Sequence, residues 1–186
     1  MNSTVPRVLL AFGASVLCAP RSDAQSINSF CFGDGAGTPC PCGNNSPPGL
    51  QQGCINSFGQ GSHLAGSGSI SVANDTLTLS ANHLPTTTTI IFFQGMLAQN
   101  AGLGTALGDG LLCVNSGLIR MGVRSAAGGS ASFGYGVAGD PRISVAGSLP
   151  ATGGLRFYQG WYRNAAAFCA VETFNLTNGL SVTWEL

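Results

Sequence analysis

Apolar and polar residues alternate with a period of two along much of the chain beyond residue 69. Residues 70–72 and 77–81 alternate in this way, and Asn74-Asp75 separates them. A period of two is typical of a strand with one buried face, and an Asn-Asp pair between two such runs is a hairpin turn signal. The stretch therefore predicts a β-hairpin.

Thr86 to Phe93 is β-branched or aromatic and follows Pro85, which predicts a central strand that is covered on both faces. The other alternating positions, which predict the core, are Ile119, Met121, Val123, Phe133, Tyr135, Val137, Leu155, Phe157, Trp161, Leu180, Val182, Trp184 and Leu186. No segment has a sustained helical period, and Asn164 to Cys169 predicts at most a turn or two of helix. Short strands between glycine-rich turns predict an all-β fold, an antiparallel β-sandwich or jelly roll.

The first 24 residues have the pattern of an export signal. Arg7 precedes an apolar run over residues 8–19 that is too short to span a bilayer, and small residues surround a cleavage site after Ala24. Residues 1–24 are therefore predicted to be a signal peptide and Gln25 the new N-terminus. We expect a secreted protein, extracellular or at the cell surface, with no membrane span after cleavage.

Six cysteines remain after cleavage, an even number that suits three disulfides in an oxidising compartment. They are Cys31, Cys40, Cys42, Cys54, Cys113 and Cys169. The first four allow three pairings among themselves, and our expectation is Cys31–Cys42 and Cys40–Cys54, which leaves Cys113–Cys169. Zinc is less favoured because structural zinc sites prefer ligand pairs two to four residues apart.

Residues 31–54 are also rich in Gly, Pro and Asn and have no apolar period. We expect residues 25–62 to form a disulfide-rich loop cap that packs as one structural unit on a sandwich of residues 63–186. Asp34 and Asp109 each lie between two glycines, a setting that calcium loops also use. Neither has acidic neighbours at alternating positions, so a turn role is favoured and no metal or cofactor is predicted.

The predicted mature chain has five arginines, no lysine and six acids, a formal charge of −1. A nucleic-acid partner is not expected, because such proteins need a dense basic patch. His63 and His83 are the only histidines, and no G-x-S-x-G or H-E-x-x-H motif occurs. Catalysis is therefore not the favoured interpretation, although a paired-carboxylate hydrolase is an alternative.

One set of residues favours a binding role. If Ile119, Met121 and Val123 point inward, Arg120 and Arg124 point outward. If Leu155, Phe157 and Trp161 point inward, the residues that alternate with them on the next strand point outward. The predicted ligand-binding residues are Arg120, Arg124, Arg156, Tyr158 and Tyr162. Arginine binds carboxylate or sulfate and tyrosine packs on sugar rings, so this face would suit an acidic glycan. The alternative is ordinary cross-strand packing on a second covered face.

Several blocks of sequence resemble a group of exported bacterial proteins and domains of unknown function. The blocks are residues 30–35, 40–45, 92–95, 108–113, 156–163 and 174–179. The similarity extends from Phe30 to Trp184, and the cysteine block is its most specific part. The resemblance implies an extracellular module that can be joined to other secreted domains, and it implies no catalytic residues.

Together these features predict a secreted structural or binding module of the cell surface or extracellular matrix. Its expected partner is an acidic polysaccharide or another cell-surface component. Two alternatives are a hydrolase of extracellular polymers and a self-assembling surface-layer or filament subunit.

Overall fold

The computed structural model describes Met1, residues 26–164 and residues 168–186. The predicted signal peptide and the new N-terminus at Gln25 lie outside the described residues, apart from Met1. The strands are β1 Ser26–Phe30, β2 His63–Ser67, β3 Thr78–Asn82, β4 Thr89–Gly95, β5 Leu97–Ala98, β6 Thr105–Leu107, β7 Gly110–Leu112, β8 Val114–Asn115, β9 Ile119–Ser125, β10 Ala131–Gly134, β11 Gly154–Arg163, β12 Phe174–Leu176 and β13 Gly179–Trp184. One helical turn, α1, covers Ile143–Ala146, and a 3-10 turn covers Gln99–Gly102. The described part of the chain has no helix that is long and apolar enough to cross a membrane.

Two antiparallel sheets carry the fold. The large sheet has the strand order β1-β13-β11-β4-β9, with β12 paired to the end of β11. The small sheet has the order β10-β3-β2. Two short ribbons, β5–β8 and β6–β7, lie within residues 97–115, in the connection between β4 and β9. The all-β prediction is confirmed, as is the interior position of β4 between two paired neighbours.

The inner faces of the two sheets share one apolar core. Leu64, Leu79 and Phe133 of the small sheet belong to the same buried cluster as Phe92 and Val182 of the large sheet. The rings of Phe92 and Phe133 stack with centroids 5.9 Å apart. Each such side chain contributes about 1.5–3 kcal/mol on burial, so this contact between the sheets holds the two layers together.

The hairpin predicted over residues 70–81 contains only one of its two expected strands. Its second run is β3, which pairs with β2 and not with residues 70–72, and residues 68–77 form the connection between β2 and β3. Asp75 is fully buried in this connection, where its carboxylate accepts hydrogen bonds from the backbone N–H of Leu77 at 2.8 Å and of Ser144 in α1 at 2.7 Å. Asp75 therefore anchors the connection to α1 instead of forming the tip of a hairpin.

All six cysteines outside the predicted signal peptide form disulfides, as expected. Cys40–Cys54 is present, but the other two predicted pairs are wrong, because Cys31 pairs with Cys113 and Cys42 with Cys169. The two long-range bonds depend on the tertiary fold, which places distant segments beside the cap. Cys31 directly follows β1, so residues 26–30 of the predicted loop cap are a strand of the large sheet.

The cysteine-rich segment covers part of the outer face of the large sheet. The first two disulfides form a second buried cluster with Leu111 and Val114, and Phe30, Phe93 and Phe157 pack against it. Four predicted core residues are instead exposed: Val123, Tyr135, Leu155 and Leu186. Val123 and Leu155 are exposed because the sequence period identifies alternating faces but does not tell which of the two is covered, whereas Tyr135 and Leu186 lie beyond the ends of β10 and β13.

Candidate functional site

The part of the outer face that the cap leaves open forms a groove of about 650 Å³ over β4, β9 and β11. We call it the arginine groove. Its lining residues are Ile91, Phe93, Leu107, Leu112, Leu118, Arg120, Trp161, Arg163 and Leu176. The volume and the mainly apolar lining with a few polar groups are typical of a ligand site.

Strand register places these side chains in rows. Ile91 of β4 lies opposite Val123 of β9 and opposite Trp161 of β11. Phe93 lies opposite Arg120 on one side. Because residues opposite each other in antiparallel strands point to the same face, the floor of the groove combines apolar rings with an arginine.

A β-bulge brings Arg120 to this face. The pairing of β4 with β9 shifts by one residue between Phe92 and Phe93, so that Gly122 lies opposite Phe92 and Arg120 opposite Phe93. Met121 is the extra residue of the bulge. The prediction that Arg120 and Arg124 share a face is therefore wrong, because the bulge reverses the alternation between them.

Residues 105–112 form one wall of the groove and are fixed to the sheet by buried polar side chains. The Gln159 side chain accepts a hydrogen bond from the N–H of Cys113 at 2.9 Å and donates to the carbonyl oxygens of Leu111 and Thr177, each at 2.8 Å. Asp109, in the turn between β6 and β7, accepts from Asn164 Nδ2 and from the N–H of Ala170, each at 2.7 Å. The wall is therefore held in place without a ligand.

The aspartates of the two glycine turns have structural roles, as the sequence favoured. Asp34 accepts a hydrogen bond from the N–H of Ala36, two residues on, at 3.0 Å. Asp109 makes the contacts described above. Over residues 26–164 and 168–186, no group of three or more His, Cys, Asp or Glu side chains could hold a metal ion.

Trp161 and Arg163 form a fixed cationic edge. The Arg163 guanidinium lies 4.9 Å from the centroid of the Trp161 ring, a cation–π contact, and its Nη1 donates to Thr173 Oγ1 at 3.3 Å. Phe174 packs on Trp161 with ring centroids 5.1 Å apart. These contacts orient the guanidinium without neutralising its charge.

The groove has a net positive charge. Arg120 and Arg163 are both exposed, and none of the described lining residues is Asp or Glu. The ion pair found in the described part of the chain, Arg124 with Asp140, lies elsewhere. Both groove guanidiniums are therefore available to an anion.

The predicted outward orientation of Tyr158 and Tyr162 is wrong, because both side chains are fully buried in the core between the sheets. Trp184 Nε1 donates to the Tyr158 hydroxyl at 2.8 Å, and Asn56 Nδ2 donates to the Tyr162 hydroxyl at 3.5 Å. Burial raises the pKa of both phenols, to about 12 for Tyr162. Because the buried hydroxyls have hydrogen-bond partners, both tyrosines are accommodated in the core. Trp161, which alternates with them along β11, therefore faces the groove.

Arg124 and Arg156 do not join the groove either. Arg124 lies opposite the buried Ile90, pairs with Asp140 and places its guanidinium 5.3 Å from the Phe133 ring centroid. Arg156 lies opposite the buried Val182 and donates to the carbonyl oxygen of Leu155 at 2.8 Å. Of the five predicted binding residues, only Arg120 lines the groove.

The sequence reasoning missed Arg163 and Trp161 as groove residues. They are two positions apart on one strand, a spacing that places both side chains on the same face. The spacing gives that signal, but the apolar character of Trp161 predicts a core position for it instead.

No protein-family model, curated protein or solved structure matches this chain.

Proposed function

We propose that this protein is a secreted binding module whose arginine groove takes an anionic ligand with an apolar body. The observation that carries the proposal is a pair of exposed guanidiniums, Arg120 and Arg163, on an apolar floor whose described residues include no carboxylate. The export pattern of residues 1–24 and the three disulfides support secretion.

The apolar floor would supply most of the affinity. Burial contributes about 0.8 kcal/mol per methylene, whereas an exposed ion pair contributes under about 1 kcal/mol. The arginines would therefore mainly select charge and orientation. Arg163 is already held by Trp161 and Thr173, so little of its conformational freedom would be lost on binding.

An acidic polysaccharide is a second candidate for the same groove. The observation that favours it is a partly exposed tryptophan beside the Arg163 guanidinium, with Arg120 in the same groove, which could contact a sugar ring and its carboxylate or sulfate groups. The aliphatic walls at Leu107, Leu112 and Leu118 favour the ligand with an apolar body, because sugar hydroxyls would lose hydrogen bonds against them.

Intrinsic fluorescence tests both candidates, because Trp161 lines the groove and the other tryptophan, Trp184, is buried in the core. The probes are decanoate, decanol and decyltrimethylammonium, which share a chain length and differ in charge. Dextran sulfate and dextran form a second matched pair. We expect saturable binding of decanoate, weaker binding of decanol and little binding of the cation.

The variant that tests the arginines is Arg120→Gln with Arg163→Gln. Loss of both should weaken decanoate binding about tenfold, which is about 1.4 kcal/mol, and bring it to the level of decanol. Arg142→Gln is the matched control, because Arg142 is exposed and does not line the groove. Binding of dextran sulfate alone would favour the polysaccharide. No binding of either anion, or binding that the double change leaves intact, would refute the proposal.

A further inference from the structure

A second pocket, of about 450 Å³, lies at the end of the small sheet and contains both histidines of the chain. We call it the histidine pocket. The lining residues that matter here are Phe58, Gln60, His63, Asn82, His83 and Ser130. His63 of β2 lies opposite Asn82 of β3, so the strand pairing itself brings the two imidazoles to one place.

His83 is held in a costly backbone conformation. Its φ is 59°, the left-handed region that a histidine seldom adopts, which costs on the order of 1 kcal/mol. Three hydrogen bonds fix it there. Its carbonyl oxygen accepts from Asn56 Nδ2 at 2.9 Å and from Ser62 Oγ at 3.0 Å, and its Nδ1 is 3.0 Å from Gln52 Nε2. The surrounding loops therefore position this imidazole.

Phe58 is held in solvent on a rigid turn. Its side chain is 57% exposed. The turn is closed by hydrogen bonds from the N–H of Asn56 to the carbonyl of Gln60 at 2.8 Å and from the N–H of Phe58 to Asn56 Oδ1 at 2.9 Å. An exposed ring on a preorganised turn is suited to packing against the apolar face of a ligand, because little entropy is lost on binding.

The chemistry of the pocket is polar and uncharged. None of the described lining residues is Arg, Asp or Glu. Burial, and then the neighbouring His83, lower the pKa of His63, so this imidazole stays neutral at neutral pH. A neutral imidazole offers one donor and one acceptor, and the amides of Asn82 and Gln60 offer both. Donors paired with acceptors match the hydroxyl groups of a sugar.

We propose that the histidine pocket binds one neutral sugar unit of a glycan, with its C–H face on Phe58 and its hydroxyls on His63, His83 and Asn82. An anion is disfavoured because no arginine is among the described residues that line the pocket. A metal ion is disfavoured because the described residues offer two imidazoles without a third ligand. This site is separate from the arginine groove, and the proposal does not depend on the ligand proposed there.

The imidazole carbon-bound protons give a specific readout by NMR, because the chain has two histidines and both line this pocket. The probes are the hexamers of cellulose, xylan, mannan, starch and chitin, each titrated to about 10 mM, with Zn²⁺ titrated separately. We expect at least one hexamer to shift both imidazole signals in a saturable way. Trp161 fluorescence should not change.

Phe58→Ala should weaken this binding about tenfold, and His83→Asn should weaken it while keeping the left-handed backbone, which Asn tolerates. Tyr135→Ala is the matched control, because Tyr135 is also exposed, at 49%, but does not line the pocket. The proposal is overturned if no hexamer shifts the imidazoles, if Phe58→Ala binds as well as the unchanged protein, or if only Zn²⁺ binds.

Discussion

The arginine groove and the histidine pocket lie on the same scaffold, but different kinds of structure build them. The groove uses side chains that alternate along β4, β9 and β11, so strand register and one bulge decide its composition. The pocket uses turns at the end of the small sheet, fixed by the side chains of Gln52, Asn56 and Ser62. One fold can therefore carry an apolar cationic site, which is built from the faces of a sheet, and a polar neutral site, which is built from loops.

The largest expected effect comes from removing the Cys31–Cys113 disulfide with two Cys→Ser changes. This bond closes a loop of 82 residues, so its loss should lower the free energy of unfolding by about 4–5 kcal/mol. Because Cys113 lies between β7 and β8, the wall of the groove should also loosen, and decanoate binding should weaken. Urea unfolding and Trp161 fluorescence measure the two effects.

The matched control is removal of Cys40–Cys54, which closes a loop of only 14 residues and should cost about 3 kcal/mol. Loss of Cys31–Cys113 should not move the imidazole signals of the folded protein, because neither of its cysteines lines the histidine pocket. Unchanged decanoate binding without Cys31–Cys113 would contradict the role of this bond in the groove wall, and a shift of the imidazole signals would contradict the separation of the two sites.

The second effect concerns Tyr162, whose hydroxyl contacts Asn56 beside the histidine pocket. Its pKa is raised from 10 to about 12 because the neutral phenol is buried. The folded state therefore disfavours the phenolate. The stability that the fold gains from the neutral phenol is present below pH 10 and is lost as pH rises from 10 through 12. By pH 11 the loss should be about 1 kcal/mol, and Tyr158 adds to it in the same direction.

Urea unfolding at about pH 8 and pH 11 measures this loss, and Tyr162→Phe should reduce it. At pH 8 the variant should cost at most about 1 kcal/mol, because Asn56 Nδ2 retains the carbonyl of His83 as an acceptor. Tyr135→Phe, at an exposed position, is the control and should leave the pH dependence unchanged. Equal stability of the unchanged protein at both pH values would show that the phenol is not buried as described.

Much of the fold was predictable from the sequence, because period-two alternation marks β9, β11 and β13 and the cysteine count marks the crosslinks. The covered face of β11 was not predictable from hydrophobicity. Tyr158 and Tyr162 are less apolar than Trp161, yet their hydroxyls find partners inside, and those partners come from distant segments. A local pattern contains no information about such partners.

The site was less predictable than the fold because it depends on one irregularity. The bulge at Met121 separates Arg120 from Arg124, and only the neighbouring Gly122 hints at it. A Cβ added at Gly122 would lie 2.2 Å from Phe133 Cε2, so the glycine is required by the close approach of the two sheets. The partners of Cys31 and Cys42 likewise follow from the tertiary fold and not from spacing.

The smallest expected effect is the acid dependence that His63 gives to the histidine pocket. Burial and the nearby His83 lower the pKa of His63 below 6.5, its value in the unfolded chain. Between the two pKa values the unfolded state binds more protons than the folded state. The stability that the fold gains from neutral His63 is therefore fully present above pH 6.5 and is lost as pH falls through the lower folded pKa. None of the described residues that line the pocket is Arg, Asp or Glu, so the His83 imidazole is the neighbouring group that acts on His63 there. Titration of the two imidazole signals by NMR should place His63 below 6.5, and His83→Asn should raise its pKa. A His63 pKa above 6.5 would contradict the burial of this imidazole, and an unchanged pKa in His83→Asn would show that the two rings do not interact. Either result would contradict the description of the histidine pocket as a polar site that differs in chemistry from the arginine groove.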